Sequence, residues 1–159
     1  MSNTFTSDSG SIEAGEALRD FYMTSQRALN RMLAVQGTSF ARTKMMMFIN
    51  LRGKVRSADM VDGFGFSPRT ITEAVDALEK DGLVMREADA SDRRVKHISL
   101  TAAGLAVLEQ SEPVRERFRT ELFEVLNDVE KEQLTQLVGR LNERLRELEQ
   151  IFAEDGKQS

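Results

Sequence analysis

The sequence predicts a mainly α-helical protein with one small β-hairpin, and three observations predict it. Apolar residues recur at helical spacing along most of the 159 residues. One helix in the middle has an unusually clear start at Ser67-Pro68 and a clear end at Gly82. After Gly82 the period changes to the alternation of short strands. The length suits about one domain of ordinary size.

The composition excludes several classes of site. The chain has no Cys and a single His, which excludes thiol chemistry, disulfides and multi-His metal sites. That residue, His97, lies on a predicted strand without a nucleophile beside it, and the carboxylates are spaced as on solvated helices. We therefore expect no catalytic residue, no metal, no cofactor and no enzymatic activity.

The chain also lacks targeting signals. No apolar run approaches the roughly 18 residues that cross a bilayer, and the polar N-terminus does not resemble a secretory signal. We expect a soluble, cytoplasmic protein with no membrane partner.

The first half of the chain predicts two helices. Residues 1 to 11 are polar and predict a disordered tail. A helical pattern follows from Ile12 to about Val35 and is interrupted at Gly37-Thr38-Ser39. A second helix is predicted from Thr43 to Arg52, and its Met45-to-Ile49 run predicts burial on more than one side.

A short helix, a turn and a third helix come next. Ser57 is predicted to cap a helix from Ala58 to about Asp62, and residues 63–66 form the turn. Ser67 is a favourable N-cap, and Pro68 occupies the first helical position, where its missing N–H costs nothing. The apolar stripe of this helix is Ile71, Ala74, Val75 and Leu78.

The strands and the terminal helices complete the predicted elements. Strands are predicted at Leu83 to Ala88 and Lys96 to Leu100, around a polar tip. Thr101 is predicted to cap a helix to about Asn127, kinked or restarted at Pro113, and Asp128 to cap the last helix.

The apolar stripes of the first and last helices are too wide for one short domain to cover. Near-heptad spacing in the last helix suits a second copy of the chain, with an intramolecular helical hairpin as the alternative. We divide the chain into a tail (1–11), a dimerisation region (12–35 and 105–153) and a central domain (40–104). The candidate dimerisation residues are Leu18, Phe21, Leu134, Leu141, Leu145, Leu148 and Phe152.

The net charge of −4 hides a basic region. No acidic residue occurs between Phe21 and Ala58, and residues 93–97 form a second acid-free cluster. Phosphate binding depends on such local patches and not on the overall sign of the charge. Either cluster alone is as well explained by solvated helix faces. The candidate contacts to a DNA backbone are Arg42, Lys44, Lys54 and Arg56.

The order of helix, helix, turn, helix and hairpin is typical of a winged helix-turn-helix domain. Burial of the stripe on the third helix turns its polar side chains outward, where a helix about 10 Å across fits the major groove. An amphipathic helix that only contributes to a core is the alternative. The candidate DNA-reading residues are Ser67, Pro68, Arg69, Thr70, Thr72 and Glu73.

The hairpin tip provides a second candidate DNA contact. A basic wing can lie along the backbone and insert one Arg into the minor groove. Asp92 is close enough in sequence to pair with the Arg94 guanidinium and hold it extended. A soluble hairpin end is the alternative. The candidate wing residues are Asp92, Arg93, Arg94 and Lys96.

Four segments resemble the MarR family of bacterial transcriptional regulators. They are residues 64–72, residues 78–84, Asp92-Arg93-Arg94 and residues 98–104. The resemblance implies a homodimer joined by the first and last helices, which binds pseudo-palindromic operators in double-stranded DNA, usually as a repressor. It also implies that Ser67, Arg69, Thr70 and Thr72 face the major groove, and that Arg94, with Asp92 behind it, faces the minor groove.

Two positions depart from the family pattern. Met60-Val61 replaces a usual Leu-Ala pair. Glu73 stands where a basic or neutral residue is frequent, so it either weakens phosphate attraction or accepts a hydrogen bond from a cytosine amino group.

Many members of this family resemble sensors of phenolic or aromatic acids. The corresponding region here contains apolar, adaptable side chains and a basic residue, Arg27 or Arg31, for a carboxylate. A methionine stripe is more often core packing, and thiol-based sensing is excluded without Cys. The candidate pocket residues are Tyr22, Arg27, Met45, Met46 and Phe48.

The sequence therefore predicts a dimeric DNA-binding repressor, released from its operator by a small aromatic ligand if it has an effector. The alternative is a winged-helix dimer that binds another protein and no specific DNA. The net negative charge and Glu73 favour that alternative.

Overall fold

The computed structural model describes residues 9–92 and 94–155. These residues form six helices and one antiparallel hairpin, which confirms the predicted class. In chain order the elements are α1 (Ser9–Ala34), α2 (Phe40–Arg52), α3 (Ser57–Phe64), α4 (Pro68–Lys80), β1 (Val84–Ala88), β2 (Lys96–Leu100), α5 (Ala102–Phe123) and α6 (Asp128–Asp155). The chain divides into two compact units, the first ending at Glu116 and the second beginning at Arg117.

The first unit contains one hydrophobic core, to which α2, α3, α4, the hairpin and the start of α5 contribute. The predicted burial of the methionine run is partly correct, because Met45, Met46 and Ile49 are buried but Met47 is exposed. The largest fully buried apolar side chains of this core are Met46, Ile49, Val55, Met60, Ile71, Val75, Leu78 and Ile98.

The starts of α2 and α3 differ from the prediction. Helix α2 begins three residues earlier than expected, because the Ser39 hydroxyl accepts the Arg42 N–H at 3.3 Å. Ser57 does not cap α3. Instead the Asp59 carboxylate accepts the backbone N–H of Arg56 at 2.7 Å and its guanidinium at 2.9 Å. Two charged residues therefore supply the start that a serine was expected to supply.

Helix α4 and the hairpin lie where they were predicted. The Ser67 hydroxyl caps α4, and Gly82 follows it with a φ of +70°, a left-handed conformation that suits glycine. Strands β1 and β2 pair from Val84–Leu100 to Ala88–Lys96. The sequence analysis missed a further bridge, in which Val55 and Ile98 exchange backbone hydrogen bonds of 3.0 and 2.7 Å.

The terminal helices show three differences. Helix α1 begins at Ser9, so residues 9–11 are helical and not part of the predicted tail, since small polar residues suit a first helical turn. Residues 1–8 of that tail lie outside the described residues. Helix α5 is continuous through Pro113 and ends at Phe123. Asn127, not Asp128, caps α6, because Asn127 and Glu130 form reciprocal hydrogen bonds of 3.0 and 2.8 Å.

None of the helices in the described part of the chain is both long enough and apolar enough to span a membrane.

The start of α5 depends on a glycine. The Thr101 hydroxyl donates to the Gly82 carbonyl at 2.6 Å and accepts the Gly104 N–H at 3.1 Å, which ties α5 to the end of α4. A Cβ on Gly104 would lie 2.0 Å from the Leu83 carbonyl oxygen, a backbone atom that cannot move aside cheaply.

We therefore expect Gly104→Ala to lower the free energy of unfolding by about 1–3 kcal/mol, the usual effect of overpacking. Urea denaturation followed by circular dichroism, at one fixed protein concentration, measures the change. Gly15→Ala is the control, because a Cβ there meets nothing within 4 Å. Equal stability of Gly104→Ala and the wild-type protein would contradict the packing described.

Candidate nucleic-acid interface

The apolar stripe of α4 fixes which of its side chains face outward. Ile71, Val75 and Leu78 are at most 1% exposed. Because a helix turns about 100° per residue, burial of this stripe leaves Arg69 and Glu73 on the opposite surface. The structure thus brings the predicted reading residues together on one exposed face, namely Ser67, Pro68, Arg69, Thr70, Thr72 and Glu73.

The hydroxyl groups of this face have partners within the helix. The Ser67 hydroxyl accepts the Thr70 N–H at 3.1 Å and lies 2.8 Å from the Thr70 hydroxyl. The Thr72 hydroxyl donates to the Pro68 carbonyl at 2.9 Å. Their unused lone pairs can accept from a base edge, but their protons are largely occupied.

Arg69 and Glu73 form an ion pair one turn apart on the same face. The Arg69 Nε donates to Glu73 Oε1 at 2.8 Å. The two side chains are 88% and 63% exposed, so the pair lies in solvent. Arg69 carries the only positive charge in the first two turns of α4.

Sequence reasoning missed a residue that joins α4 to the hairpin. The Arg86 side chain on β1, only 17% exposed, donates to Asp76 at 2.6 Å and to Glu79. In an alternating strand Arg86 shares the inward face with Val84, and an inward cation needs acidic partners. The alternation of the strand could therefore have identified Arg86 as an inward cation from the sequence.

The four residues predicted to contact the DNA backbone each have a partner within the protein. Three of them form ion pairs: Arg42 with Asp81 at 2.5 Å, Lys54 with Glu87 at 2.7 Å, and Arg56 with Asp59 at 2.9 Å. The fourth, Lys44, has its Nζ 5.3 Å from the centre of the Phe64 ring. Hydrogen bonds from Lys54 and Arg56 lower the pKa of Glu87 and of Asp59 respectively. Because ion pairs in solvent are weak, a phosphate can replace the carboxylates that pair with Arg42, Lys54 and Arg56 at little cost.

The hairpin tip is organised by one carboxylate. Asp89 Oδ1 accepts the Ser91 hydroxyl at 2.5 Å and the N–H groups of Ser91 and Asp92 at 2.8 and 3.1 Å. Asp89 Oδ2 lies 2.8 Å from His97 Nε2. The Ser91 hydroxyl, and then His97, hold the pKa of Asp89 far below its usual range.

The expected Asp92–Arg94 ion pair is replaced by a different contact. Asp92 Oδ1 accepts the backbone N–H of Arg94 at 2.9 Å, because the tight turn brings the amide, and not the guanidinium, to the carboxylate. The Arg94 side chain is exposed, as is Lys96 at the start of β2. Arg93 lies outside the described residues.

The candidate ligand residues do not line one cavity. Tyr22 and Met45 line a small cleft of about 90 Å³, whereas Phe48 lines a cleft of about 670 Å³ against α5. Met46 is fully buried in the core. Arg27 lines neither cleft and donates to the Thr24 hydroxyl at 3.2 Å. Lys44, which was assigned to DNA, borders both clefts.

The candidate dimerisation residues are largely uncovered. None of the 28 residues of α6 is buried, and Leu33 is the only buried residue of α1. The apolar stripe of α6 is therefore left exposed by its own unit. Of the candidates, Leu18, Phe21, Leu134, Leu141, Leu145 and Phe152 are exposed, and Leu148 is half-buried.

Across residues 9–92 and 94–155, no three His, Cys, Asp or Glu side chains are grouped as a metal site would require.

Comparisons with known proteins agree on a family. Residues 41–96 match the model of the MarR family. The transcriptional repressor MprA of Escherichia coli strain K12 is 31% identical over 125 residues, which cover 76% of this chain and 70% of MprA.

Two solved structures have the same fold. Mutant MarR from Escherichia coli complexed with operator DNA has a TM-score of 0.76 at 22% identity, covering 88% of this chain and 99% of that one. The organohalide-sensing regulator RdhR, in its 2,4-dichlorophenol-bound form, has a TM-score of 0.75 at 18% identity, covering 91% and 86%.

The Asp89 network predicts a pH dependence of stability. Because the pKa of Asp89 is lowered in the folded state, its ionised carboxylate stabilises the fold above the unfolded-state pKa of about 3.9, and this contribution is lost as the pH falls below that value. We expect Asp89→Asn to lower the free energy of unfolding at pH 7, with a difference from wild type that narrows below about pH 4.

Urea denaturation between pH 7 and pH 3 measures this difference. Asp62→Asn, at an exposed position on α3, is the control for removing one carboxylate. A deficit of Asp89→Asn that stays constant over the whole range would show that the ionised carboxylate has no special role at the tip.

Proposed function

The chain belongs to the MarR family, and on that basis we propose that it is a homodimeric transcriptional repressor that binds a pseudo-palindromic operator. The observation that carries the proposal is the geometry of α4. Its Ile71, Val75 and Leu78 are buried, while its polar face is exposed, as is Arg94 on the hairpin. The name of MprA, a transcriptional repressor 31% identical to this chain, supports the direction of regulation.

In this proposal α4 lies in the major groove. Ser67, Pro68 and Thr70 form its N-terminal turn, where the backbone amides favour a phosphate. Arg69, Thr72 and Glu73 follow along the face towards base edges. Arg42, Lys44, Lys54 and Arg56 exchange their intramolecular partners for phosphates.

The wing lies in the adjacent minor groove. Arg94 is the inserted side chain, because it is exposed and its backbone is fixed by Asp92. Arg93 and Lys96 contact the flanking backbone. Asp89 supports this wing through the tip network.

We propose that two copies join through residues 12–35 and residues 105–153, and that residues 40–104 form the DNA-binding domain. None of the 28 residues of α6 is buried, and its apolar side chains Leu141, Leu145 and Phe152 are at least half exposed. Since removing apolar side chains from water is favourable, this exposed stripe supports a second copy as its partner. To read two half-sites one turn of DNA apart, the two α4 helices of this dimer must lie about 34 Å apart.

A small aromatic or phenolic effector is the finer part of the proposal. RdhR binds 2,4-dichlorophenol, and the Phe48 cleft of this chain has the size typical of small-molecule sites. Bound ligand would favour a dimer whose reading helices no longer match the groove spacing. Titration of the operator complex with 2,4-dichlorophenol tests this part, and release of DNA supports it.

We propose no catalytic activity. The Asp89 carboxylate lies between the Ser91 hydroxyl and His97, at 2.5 and 2.8 Å. In a Ser-His-Asp triad the His lies between the other two, so here the His cannot take the serine proton. Because the proposed partner is operator DNA, we propose that the protein acts in the cytoplasm.

Selection of bound duplexes from random DNA tests the function. We expect a two-fold symmetric motif from the wild-type protein. Arg94→Ala should weaken binding to that motif and reduce the slope of log affinity against log salt by about one contact per protomer.

Arg144→Ala on α6, which also removes one exposed guanidinium, is the control. Because α6 belongs to the proposed dimerisation region, sedimentation must first show that this variant is still a dimer, and it should then leave both quantities unchanged. Recovery of no enriched sequence by the wild-type protein would instead favour the alternative function, a winged-helix dimer that binds another protein.

A further inference from the structure

The exposed face of α4 has one feature that the proposed function does not explain. An acidic residue, Glu73, lies in the middle of the exposed face that we propose approaches polyanionic DNA. The other two acids of α4, Asp76 and Glu79, are both bonded to Arg86 and serve to hold the hairpin. Glu73 makes no such structural contact, and its bond is to Arg69.

The geometry of that bond leaves part of the guanidinium unused. Glu73 Oε1 binds Nε of Arg69 at 2.8 Å, and the five N–H donors of a guanidinium are arranged in a fixed fork. With Nε engaged, the two terminal amino groups remain as a pair of donors at the end of the side chain. Such a pair matches the O6 and N7 acceptors of guanine in the major groove.

We propose that Glu73 is a positioning residue that holds Arg69 in the conformation that reads a guanine in each half-site. The inference deepens the proposed operator binding and rests on it. Fixing the long Arg69 side chain before binding reduces the side-chain entropy lost on contact with the base.

The same pair has a second effect on affinity. The negative charge of Glu73 opposes the attraction of Arg69 to any phosphate, so it weakens sequence-independent binding, which is mostly electrostatic. Glu73 therefore raises the ratio of specific to non-specific affinity in two ways: it strengthens binding to the guanine and weakens binding to phosphates. An exposed ion pair that contributes little to stability in water acquires a role at the DNA surface.

The test compares Glu73→Gln with the wild-type protein on the selected operator, on the operator with the guanine of each half-site replaced, and on unrelated duplex. We expect Glu73→Gln to bind unrelated duplex about 3- to 10-fold more tightly, since each protomer loses one negative charge. We also expect it to lose about 3- to 10-fold of the preference for guanine, within the usual value of one bidentate contact.

Arg69→Ala and the double variant Arg69→Ala/Glu73→Gln separate positioning from direct reading. If Glu73 acts through Arg69, Arg69→Ala removes the guanine preference, and adding Glu73→Gln changes base preference no further. Glu121→Gln is the matched control, because Arg117 Nε bonds Glu121 Oε1 at 2.6 Å with the same i,i+4 spacing away from α4. Because Glu121 lies in the proposed dimerisation region, sedimentation must first show that this variant is still a dimer, and it should then alter neither quantity.

Two outcomes would overturn the inference while the proposed function stands. One is that Glu73→Gln changes affinity for all duplexes by the same factor and keeps the guanine preference. The other is that Glu73→Gln alters base preference equally in the Arg69→Ala background, which would make Glu73 a direct reader of a base. If the wild-type protein selects no motif at all, the proposed function itself fails, and the inference with it.

Discussion

The burial of Ile71, Val75 and Leu78 is the constraint on which the rest of the molecule depends. These three side chains of α4 are almost completely removed from solvent. Because helix geometry fixes the directions of the remaining residues, the same burial that stabilises the domain also presents Arg69 and Glu73 outward. The core and the candidate DNA-reading face are thus two sides of one helix. A core substitution that rotates α4 about its axis therefore also redirects the side chains of that face.

A second set of contacts gives that helix fixed neighbours. Arg86 joins β1 to α4, and the Val55–Ile98 bridge joins the segment between α2 and α3 to β2. Thr101 joins α5 to Gly82, just after α4. The hairpin is therefore not a free arm, and Arg94 at its tip has a defined distance from α4. Sites on such rigid elements hold the positions of functional side chains better than sites on isolated loops.

Several features that depend only on neighbouring residues were predictable from the sequence. The Ser67 cap, the Gly82 stop and the β2 strand were all predicted, because each follows from local backbone chemistry. What it did not reveal depends on residues distant in sequence. The Val55–Ile98 bridge and the Arg42–Asp81 and Lys54–Glu87 pairs join positions 33 or more residues apart.

The local errors have a different cause. The predicted Ser57 and Asp128 caps were each one residue from the true cap, since several residues there can accept a backbone N–H. For the candidate DNA-reading face, the exposure of its residues was predictable from the stripe, but the Arg69–Glu73 bond and the contacts of Arg86 required coordinates. The predicted ligand residues were distributed over two clefts and the core, because a Met-rich helix packs on several sides.

The central claim is that two copies of the α4 face and wing contact one duplex together. Chemical footprinting of the bound duplex, by guanine N7 methylation and hydroxyl-radical cleavage, tests it most directly. The account predicts protected guanines in two successive major grooves about 10 base pairs apart, each flanked by a protected minor groove. Protection of a single major groove, or even protection along the whole duplex, would contradict it.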